Sequence, residues 1–312
     1  MKQNRLLFMD PFLRPIVWGG TRLRDDFGYD IPSETTGECW GISAHENGDC
    51  RVLSGDYAGK LLSELWRDHR ELFGNLEGEK FPLLVKIIDA RDDLSIQVHP
   101  DDAYAAAHEN GSLGKTECWY VLDCPEDGHI VIGHNAKTKE EARTLVEEKR
   151  WDEFIRKIPV HKGDFFQINP GCLHAICQGT LLLETQQNSD ITYRVYDYDR
   201  LCDGKPRELH IEKSLDVIET PFKEVRAQGT VKNGAGYRIE ELYHCNYYTV
   251  EKRTIQGKAV FTQDKPFLNI SVIEGRGTID GVEIKKGTHL IVPYQYGEFV
   301  LEGNMVMMTS FV

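Results

Sequence analysis

The sequence predicts a mainly β protein of two related small barrels, with a few helices added to the first barrel. Short strand-like runs are separated by Gly, Pro, Asn and Asp along most of the 312 residues, a pattern typical of sandwiches and barrels. Only two long segments have apolar residues at helical spacing. A weak internal repeat then divides the chain, and we expect one domain over residues 1–225 and a second over residues 226–312.

The helical predictions all fall in the first domain. The segment "YAGKLLSELWRDHRELFG" (57–74) places its leucines, Trp66 and Phe73 near one stripe. The segment "KTKEEARTLVEEKRWDEFIRKI" (137–158) opens with Thr138 and has Glu141 three residues later, which is a capping box. A shorter stretch, 101–110, predicts one or two helical turns. The rest of the chain is predicted to be strand or loop.

The internal repeat shows which domain carries the chemistry. The stretch "VHKGDFFQINPGCLHAI" (160–176) resembles "IKKGTHLIVPYQYGEFV" (284–300), since both run from a basic residue through Gly, a strand, Pro and a turn into another strand. Aligned on the prolines, His174 falls opposite Gly297; aligned on Asp123 and Glu274, Glu117 falls opposite Leu268. We therefore expect a functional first domain and a degenerate second one.

Composition excludes several classes of partner. The formal net charge of −13 argues against nucleic acid and anionic membranes as partners. No apolar run approaches the roughly 18 residues of a membrane span, and the first residues lack the apolar core of a signal peptide. The eight cysteines include no C-x-x-C pair, which disfavours a zinc ribbon, and without an export signal we interpret them as reduced thiols. These features predict a cytoplasmic protein that acts on a small molecule.

Polar residues at alternate positions suggest a metal site. In "LSIQVHPDD" (94–102), Ser95, Gln97 and His99 share one face of a strand. Glu117 follows in "GKTECWYV", and the Pro-Gly turn of "INPGCLHAI" delivers His174 onto the next strand. Two imidazoles, a carboxylate and an amide oxygen can bind a divalent metal and leave positions for substrate and water. Each residue alone would be unremarkable on a strand, but short strands of a barrel surround a common cavity.

A second group of residues is basic. Lys86 interrupts the apolar run "FPLLVKII", where an unpaired buried charge costs several kcal/mol. An anionic substrate would supply its partner; the alternative is a salt bridge to Asp89 or Asp92. Lys115 shares a strand face with Glu117, and "SDITYRVYDYDR" carries Arg194 and Arg200.

Five motifs together carry a family resemblance: "IVWGG" (16–20), "GECWGIS" (37–43), "FPLLVKIIDARDDLSIQVHPDD" (81–102), "GKTECWYVLD" (114–123) and "NPGCLHAI" (169–176). They resemble type I mannose-6-phosphate isomerase, in the short bacterial form of that cupin enzyme. The resemblance implies two cupin-type β-barrels, or jelly rolls, and a zinc-dependent interconversion of mannose 6-phosphate and fructose 6-phosphate through an enediol.

The resemblance also assigns roles to residues. It implies one zinc ion per chain, with ligands at Gln97, His99, Glu117 and His174. It implies catalytic roles for Arg194 and Lys115, and a phosphate site at Lys86, Ser95 and Arg200. The sequence departs from the longer forms of the family at "GKTE", which replaces His-Lys-Pro-Glu, and it lacks their long helical insertion.

Several alternatives stay open at this point. A cupin isomerase for another phosphosugar would share the chemistry, and a non-catalytic sugar-phosphate-binding cupin would share the fold. An iron or manganese cupin dioxygenase is disfavoured by Lys and Arg around the metal. The general base is unassigned among Lys115, a metal-bound water and Asp190. We expect a monomer or a weak homodimer.

Overall fold

Three large β-sheets form the framework of the structure, a computed structural model that describes residues 2–202, 204–225 and 229–312. In chain order the strands are Leu7–Asp10 (β1), Phe12–Gly20 (β2), Thr36–Ile42 (β3), Ala44–His45 (β4), Gly48–Asp49 (β5), Arg51–Val52 (β6), Leu83–Asp89 (β7), Ile96–Val98 (β8), Glu117–Asp123 (β9), His129–His134 (β10), Ile155–Pro159 (β11), Phe165–Ile168 (β12), His174–Ala175 (β13), Leu181–Gln187 (β14), Tyr193–Tyr196 (β15), Leu201–Cys202 (β16), Lys205–Pro206 (β17), Val231–Gly234 (β18), Tyr237–His244 (β19), Thr249–Gln263 (β20), Phe267–Ile279 (β21), Val282–Lys285 (β22), His289–Pro293 (β23) and Gly297–Phe311 (β24). The α-helices are Arg22–Asp25 (α1), Leu62–Asp68 (α2), Asp102–His108 (α3), Lys139–Glu147 (α4), Trp151–Phe154 (α5) and Ile211–Val217 (α6). The prediction of a mainly β protein is confirmed.

The first part of the chain forms a sandwich of two sheets. One sheet has the strand order β12-β9-β14-β7-β3-β2, and the other has the order β11-β10-β13-β8-β15. Apolar side chains from both sheets meet in one buried cluster, with Trp119 and Leu182 from the first sheet and Ile130 from the second. Among the described strands the two ladders are open and face each other, as in a jelly roll, so the space between them can hold a site.

The last part of the chain forms a nine-stranded sheet that also includes β1 and β6. Its longest strands, β20 and β24, pair over their whole length, from Thr249 opposite Phe311 to Gln263 opposite Gly297. Gly257, Gly303 and Gly277 stand opposite one another across three neighbouring strands. A Cβ on Gly303 would lie 2.5 Å from the Cα of Gly277, so the close approach of these strands requires glycine.

Helices pack on the outer faces of the sandwich, as predicted. Residues of α4, α5 and α6, including Leu145, Phe154 and Leu215, join a buried cluster with Val98 and Val131 of the five-stranded sheet. Helix α2 packs elsewhere, in a larger apolar cluster that also contains strands of the six-stranded and nine-stranded sheets. The helices therefore lie on the surface of the first unit and leave the space between its sheets free.

Helix boundaries differ from those predicted. The 57–74 segment is α2 followed by a 3-10 turn, Arg70–Phe73, which ends at Gly74 with φ +67. The 137–158 segment begins at the predicted Thr138 cap but divides into α4 and α5, and its last residues form β11. The segment ends as a strand because β11 pairs with β10. Helices α1 and α6 were not predicted, since both are short.

The predicted domain boundary lies next to residues 226–228, which are outside the described residues. Strand β1 pairs with β23 through Leu7 and Ile291, so the first strand of the chain lies in the sheet formed by the last part. None of the described helices is long and apolar enough to cross a membrane.

Candidate active site

Three neighbouring strands of the five-stranded sheet bring three of the predicted site residues together. On β13, His174 stands opposite Gln97 of β8, and Gln97 in turn stands opposite Arg194 of β15. The turn before β13 requires Gly171, which has φ +83 and donates its N–H to the carbonyl of His99 at 2.9 Å. A Cβ at that position would lie 2.7 Å from the carbonyl oxygen of Val217. The turn therefore holds His174, on β13, next to His99, which directly follows β8.

The buried centre of the site is a cluster of three potential metal ligands, His99, Glu117 and His174. Their ligand atoms all lie within 4.8 Å of one another. Nε2 of His174 is 3.1 Å from Nε2 of His99 and 3.3 Å from a Glu117 oxygen. Glu117 comes from β9 of the opposite sheet, so the cluster bridges the two halves of the sandwich.

Backbone carbonyls orient both imidazoles toward this point. Nδ1 of His99 lies 2.8 Å from the carbonyl of Ile191, and Nδ1 of His174 lies 2.8 Å from that of Cys172. Nδ1 is thus the protonated nitrogen, and each Nε2 presents a lone pair to the centre. Burial lowers the pKa of His174 to about 3 and that of His99 well below its usual value. Both rings are neutral, as metal binding requires.

The ligand cluster attracts positive charge. The Lys115 ammonium contacts Glu117 and lies 3.1 Å from Nε2 of His99. Burial alone would lower its pKa, but Glu117 and Glu184 raise it. Burial and the neighbouring Glu184 also raise the pKa of Glu117. The Nε2 lone pairs of the two histidines and the carboxylates of Glu117 and Glu184 lie around the Lys115 ammonium. This surplus of electron-rich groups suits the binding of a further cation.

A cavity of about 200 Å³ opens beside the cluster, and about half of the residues that line it are charged. Its basic residues are Arg14, Lys86, Lys115, Arg194 and Arg207, and its acidic residues are Glu38, Glu184 and Asp190. Five basic against three acidic side chains leave a surplus of positive charge for an anionic ligand. Of the other predicted site residues, Ser95 and Gln97 also line the cavity.

Arg200 is not among the residues that line this cavity. It donates to Asp197 at 2.8 Å, and the same carboxylate accepts two hydrogen bonds from Arg207 at 2.6 and 2.7 Å. Of the two arginines bound to Asp197, Arg207 lines the cavity. Sequence reasoning did not identify Arg207 because its place depends on the loop after β15.

Glu184 is a further residue that sequence reasoning missed. It stands opposite Lys86 on the neighbouring strand, with the ammonium and carboxylate 3.4 Å apart, and it accepts from Nε1 of Trp119 at 2.9 Å. The partner of Lys86 within the chain is thus Glu184, neither Asp89 nor Asp92. A signal was available, since Glu184 directly follows the apolar run "LLL" much as Lys86 interrupts "FPLLVKII".

Arg194 and Asp190 come from the same segment and both line the cavity. Nη1 of Arg194 donates to the carbonyl of Glu208 at 3.0 Å, and its Nε has no hydrogen-bond partner among the described residues. Asp190 accepts from Asn47 at 2.6 Å and lies 3.4 Å from Nε2 of His45. The His45 hydrogen bond lowers the pKa of Asp190 well below its usual range, which makes this carboxylate a weak base.

Comparisons with known proteins agree with this geometry. Residues 6–122 match the family described as "Phosphomannose isomerase type I, catalytic domain", and residues 238–312 match "Mannose-6-phosphate isomerase, cupin domain". The chain is 53% identical over 302 residues to mannose-6-phosphate isomerase ManA of Bacillus subtilis, covering 95% of this chain and 96% of the relative. It is 48% identical to mannose-6-phosphate isomerase of Streptococcus mutans, covering 97% of each.

Solved structures extend the likeness to the whole fold. The crystal structure of mannose 6-phosphate isomerase from Bacillus subtilis is 46% identical, with a TM-score of 0.97 over 98% of this chain and 99% of that one. A variant of phosphomannose isomerase from Salmonella typhimurium, 14% identical over 98% of this chain and 99% of that one, shares the fold with a TM-score of 0.82. The predicted cupin fold is confirmed, and the chain belongs to the type I phosphomannose isomerase family.

Proposed function

We propose that this protein interconverts mannose 6-phosphate and fructose 6-phosphate at a single zinc ion. The observation that carries the proposal is the meeting of His99, Glu117 and His174 beside a cavity with surplus positive charge. Both features suit the proposed reaction, since its substrate carries a phosphate and its enediol pathway develops negative charge on sugar oxygens.

Zinc fits the ligand set. Two neutral imidazoles and a carboxylate are the usual protein ligands of a catalytic zinc ion, which keeps further positions open. We propose Gln97, which lines the cavity between Ser95 and His99 along the strand, as a fourth ligand. When bound, the ion would supply a Lewis acid for the sugar oxygens.

The basic residues divide into two proposed roles. Lys86 and Ser95 are proposed to bind the phosphate, and we propose that Arg200 contributes through Asp197, which also holds Arg207 at the cavity. Arg194 and Lys115 are proposed to stabilise the enediolate that forms when a proton leaves C2. A guanidinium stays protonated, so Arg194 acts by charge. The low pKa of Asp190 disfavours it as the base that moves the proton from C2 to C1.

The proposal extends to the organisation of the chain. All the proposed site residues lie within residues 1–225, the proposed catalytic domain, and residues such as Tyr248 and Phe267 from the last part of the chain share an apolar cluster with that domain. The eight cysteines are free thiols, which suits the cytoplasm. A monomer or weak homodimer stays a prediction, and light scattering on the purified protein would check it.

A coupled assay for fructose 6-phosphate, run with metal analysis on the same preparation, tests the proposal. We expect turnover of mannose 6-phosphate with about one zinc per chain, and much poorer turnover of free mannose. Lys86→Ala should mainly raise KM, by about 1.5–3 kcal/mol in binding. Faster turnover of another phosphosugar would favour the alternative isomerase. Equal efficiency on free mannose would contradict the phosphate site, and full activity in chelator would contradict the zinc site.

A further inference from the structure

The basic side chains that line the active-site cavity differ in how their charge is balanced. Three of them each have a carboxylate: Arg14 lies 3.7 Å from Glu38, Lys86 lies 3.4 Å from Glu184, and Lys115 contacts Glu117. The other two are Arg194 and Arg207. One buried carboxylate, Asp197, attracts both of them, and it also binds Arg200. The surplus positive charge of the cavity therefore lies where Arg194 and Arg207 line it, which we name the arginine end.

The charge at the arginine end matches that of a phosphate group. Three guanidinium groups, of Arg194, Arg200 and Arg207, stand against the single carboxylate of Asp197, which is 4% exposed. Glu208 is also near Arg194, but it is exposed, so salt and solvent screen its charge. The surplus is thus two positive charges, and a phosphate monoester such as phosphoserine carries about −1.5 to −2 at pH 7.

The two arginines that line the cavity are close enough for their charges to repel. Burial and the neighbouring guanidinium of Arg207 lower the pKa of Arg194. Like charges held beside one another are unfavourable, and an anion bound next to them reverses the sign of the interaction. The arginine end is therefore arranged for an anionic ligand.

Asp197 occupies only one side of the Arg207 guanidinium. Nε and Nη2 donate to the two carboxylate oxygens at 2.7 and 2.6 Å. A guanidinium has five N–H groups, so three remain for another partner, including both on Nη1. Among the described residues Nη1 has no acceptor, and it is not a fully buried atom. The side chain lines the cavity with 18% of its surface exposed, so a ligand can reach it.

The position of Arg207 suits the far end of a sugar phosphate. His174, Gln97 and Arg194 stand side by side on three neighbouring strands. The chain that follows Arg207 lies next in this row, because the N–H of His210 donates to the carbonyl of Arg194 at 2.7 Å. At about 4.8 Å per strand, that chain is roughly 10 Å from Gln97 across the sheet. Isomerisation takes place at C1 and C2 and the phosphate is on C6, so its ligand has to stand away from the metal ligands.

We propose that Arg207 binds the phosphate of the substrate directly, through the N–H groups that Asp197 leaves free. Asp197 is then a positioning residue, since its bidentate contact fixes the plane of the guanidinium. The inference rests on the proposed function, because it requires a phosphosugar in the cavity. It adds to Lys86 and Ser95 a ligand whose charge no carboxylate of its own balances.

Calorimetric titration of the zinc-loaded protein with sorbitol 6-phosphate tests the proposal. This compound carries the phosphate but no carbonyl group that could react. Arg207→Ala should raise its Kd about tenfold to a hundredfold, the range for a lost hydrogen bond to a charged group. Arg207→Gln should weaken binding similarly, because it loses the charge but can still donate to Asp197. Arg238→Ala is the matched control and should bind as the wild type does, since Arg238 is an exposed, ion-paired arginine on β19.

A second measurement separates phosphate binding from a structural role. Arg207→Ala should reduce the preference for mannose 6-phosphate over free mannose, as a ratio of kcat/KM values, about tenfold. Loss of the two activities in equal proportion would make Arg207 structural and overturn the proposal. Unchanged affinity for sorbitol 6-phosphate in either variant, or no binding by the wild type, would overturn it as well.

The two experiments also distinguish this proposal from the proposed function. If mannose 6-phosphate is not turned over, the proposed function fails, and the titration with sorbitol 6-phosphate still decides the role of Arg207. Should the alanine variant fail to fold, Arg207→Gln decides the outcome by the same two measurements.

Discussion

At the scale of single residues, the candidate metal site depends on which nitrogen of each histidine faces the centre. The carbonyls of Ile191 and Cys172 fix Nδ1 of His99 and His174 as donors, and so turn each Nε2 toward Glu117. A histidine without such a carbonyl could present either nitrogen. The orientation is therefore a property of the surrounding backbone and is set before any metal binds.

His174→Ala should remove most of the bound metal, because the cluster loses one of its three described ligands. His289→Ala is the matched control, since His289 is equally buried but lies on β23 outside the cluster. Metal content by mass spectrometry on dialysed protein checks both variants. Loss of metal from the His289 variant, or full metal in the His174 variant, would place the site elsewhere.

Arg194→Ala should keep the fold, the metal and most substrate affinity, and lose about 10²–10³ in kcat, the scale for one oxyanion-stabilising group. Arg194→Lys should recover only part, because an ammonium cannot reproduce the planar fork. The checks are kcat, KM, zinc content and melting temperature on the same preparations. Unchanged kcat with a collapsed melting temperature would make Arg194 a structural residue.

At the scale of elements, the paired strands β7 and β14 place opposite charges inside the sandwich. Lys86 and Glu184 stand opposite each other in the register; Lys86 interrupts the apolar part of β7, and Glu184 follows three leucines in β14. Both side chains are buried, at 6% and 3% exposure, so removing one would leave an unpaired charge in the interior. The pair explains how the interior tolerates these charges beside His99, Glu117 and His174 before substrate binds.

Helix α4 offers a test of capping at its first turn. Oγ1 of Thr138 accepts from the N–H of Glu141 at 3.1 Å, so Thr138→Ala should lower the free energy of unfolding by about 1 kcal/mol. Thr144→Ala makes the same chemical change within the exposed face of the helix and should be neutral or slightly stabilising. Urea unfolding of both variants measures the difference. Equal effects would show that the cap contributes nothing specific.

At the scale of the whole molecule, a buried histidine joins the two parts of the chain. Nε2 of His289 lies 2.9 Å from the hydroxyl of Tyr29, and Nδ1 lies 2.8 Å from Oγ of Ser271. Gly41 belongs to the same contact, because a Cβ there would lie 2.3 Å from the imidazole. These contacts make the sandwich and the nine-stranded sheet depend on each other for stability.

The same histidine should make stability depend on pH. Burial lowers the pKa of His289 from 6.5 to about 4 in the folded protein. Between those values the unfolded chain binds a proton that the folded chain does not, so stability is lost as pH falls from 6.5 to about 4. The loss approaches about 3 kcal/mol for this one group.

His289→Gln should therefore be less stable than the wild type at pH 7 but should lose less stability on acidification. Urea unfolding at several pH values, with both proteins stripped of metal by chelator, measures the two slopes. The chelator removes any contribution from metal release. Parallel slopes would show that His289 is not the group that titrates.

The sequence by itself determined the fold class, and it named most of the residues that the structure brings together at the candidate site. Alternation along residues 94–102 predicted that Gln97 and His99 share one strand face. This prediction was possible because the two-residue repeat of a strand depends only on the local backbone. The Thr138 cap was predictable for the same reason.

Tertiary structure decided the rest. Ile155 and Ile158 fit a helix by spacing, but pairing with β10 made them a strand. The Lys86–Glu184 pair joins residues about a hundred positions apart. Asp197 binds both Arg200 and Arg207, and of these two arginines it is Arg207 that lines the cavity. Such contacts are set by which strands become neighbours, and no local pattern records that choice.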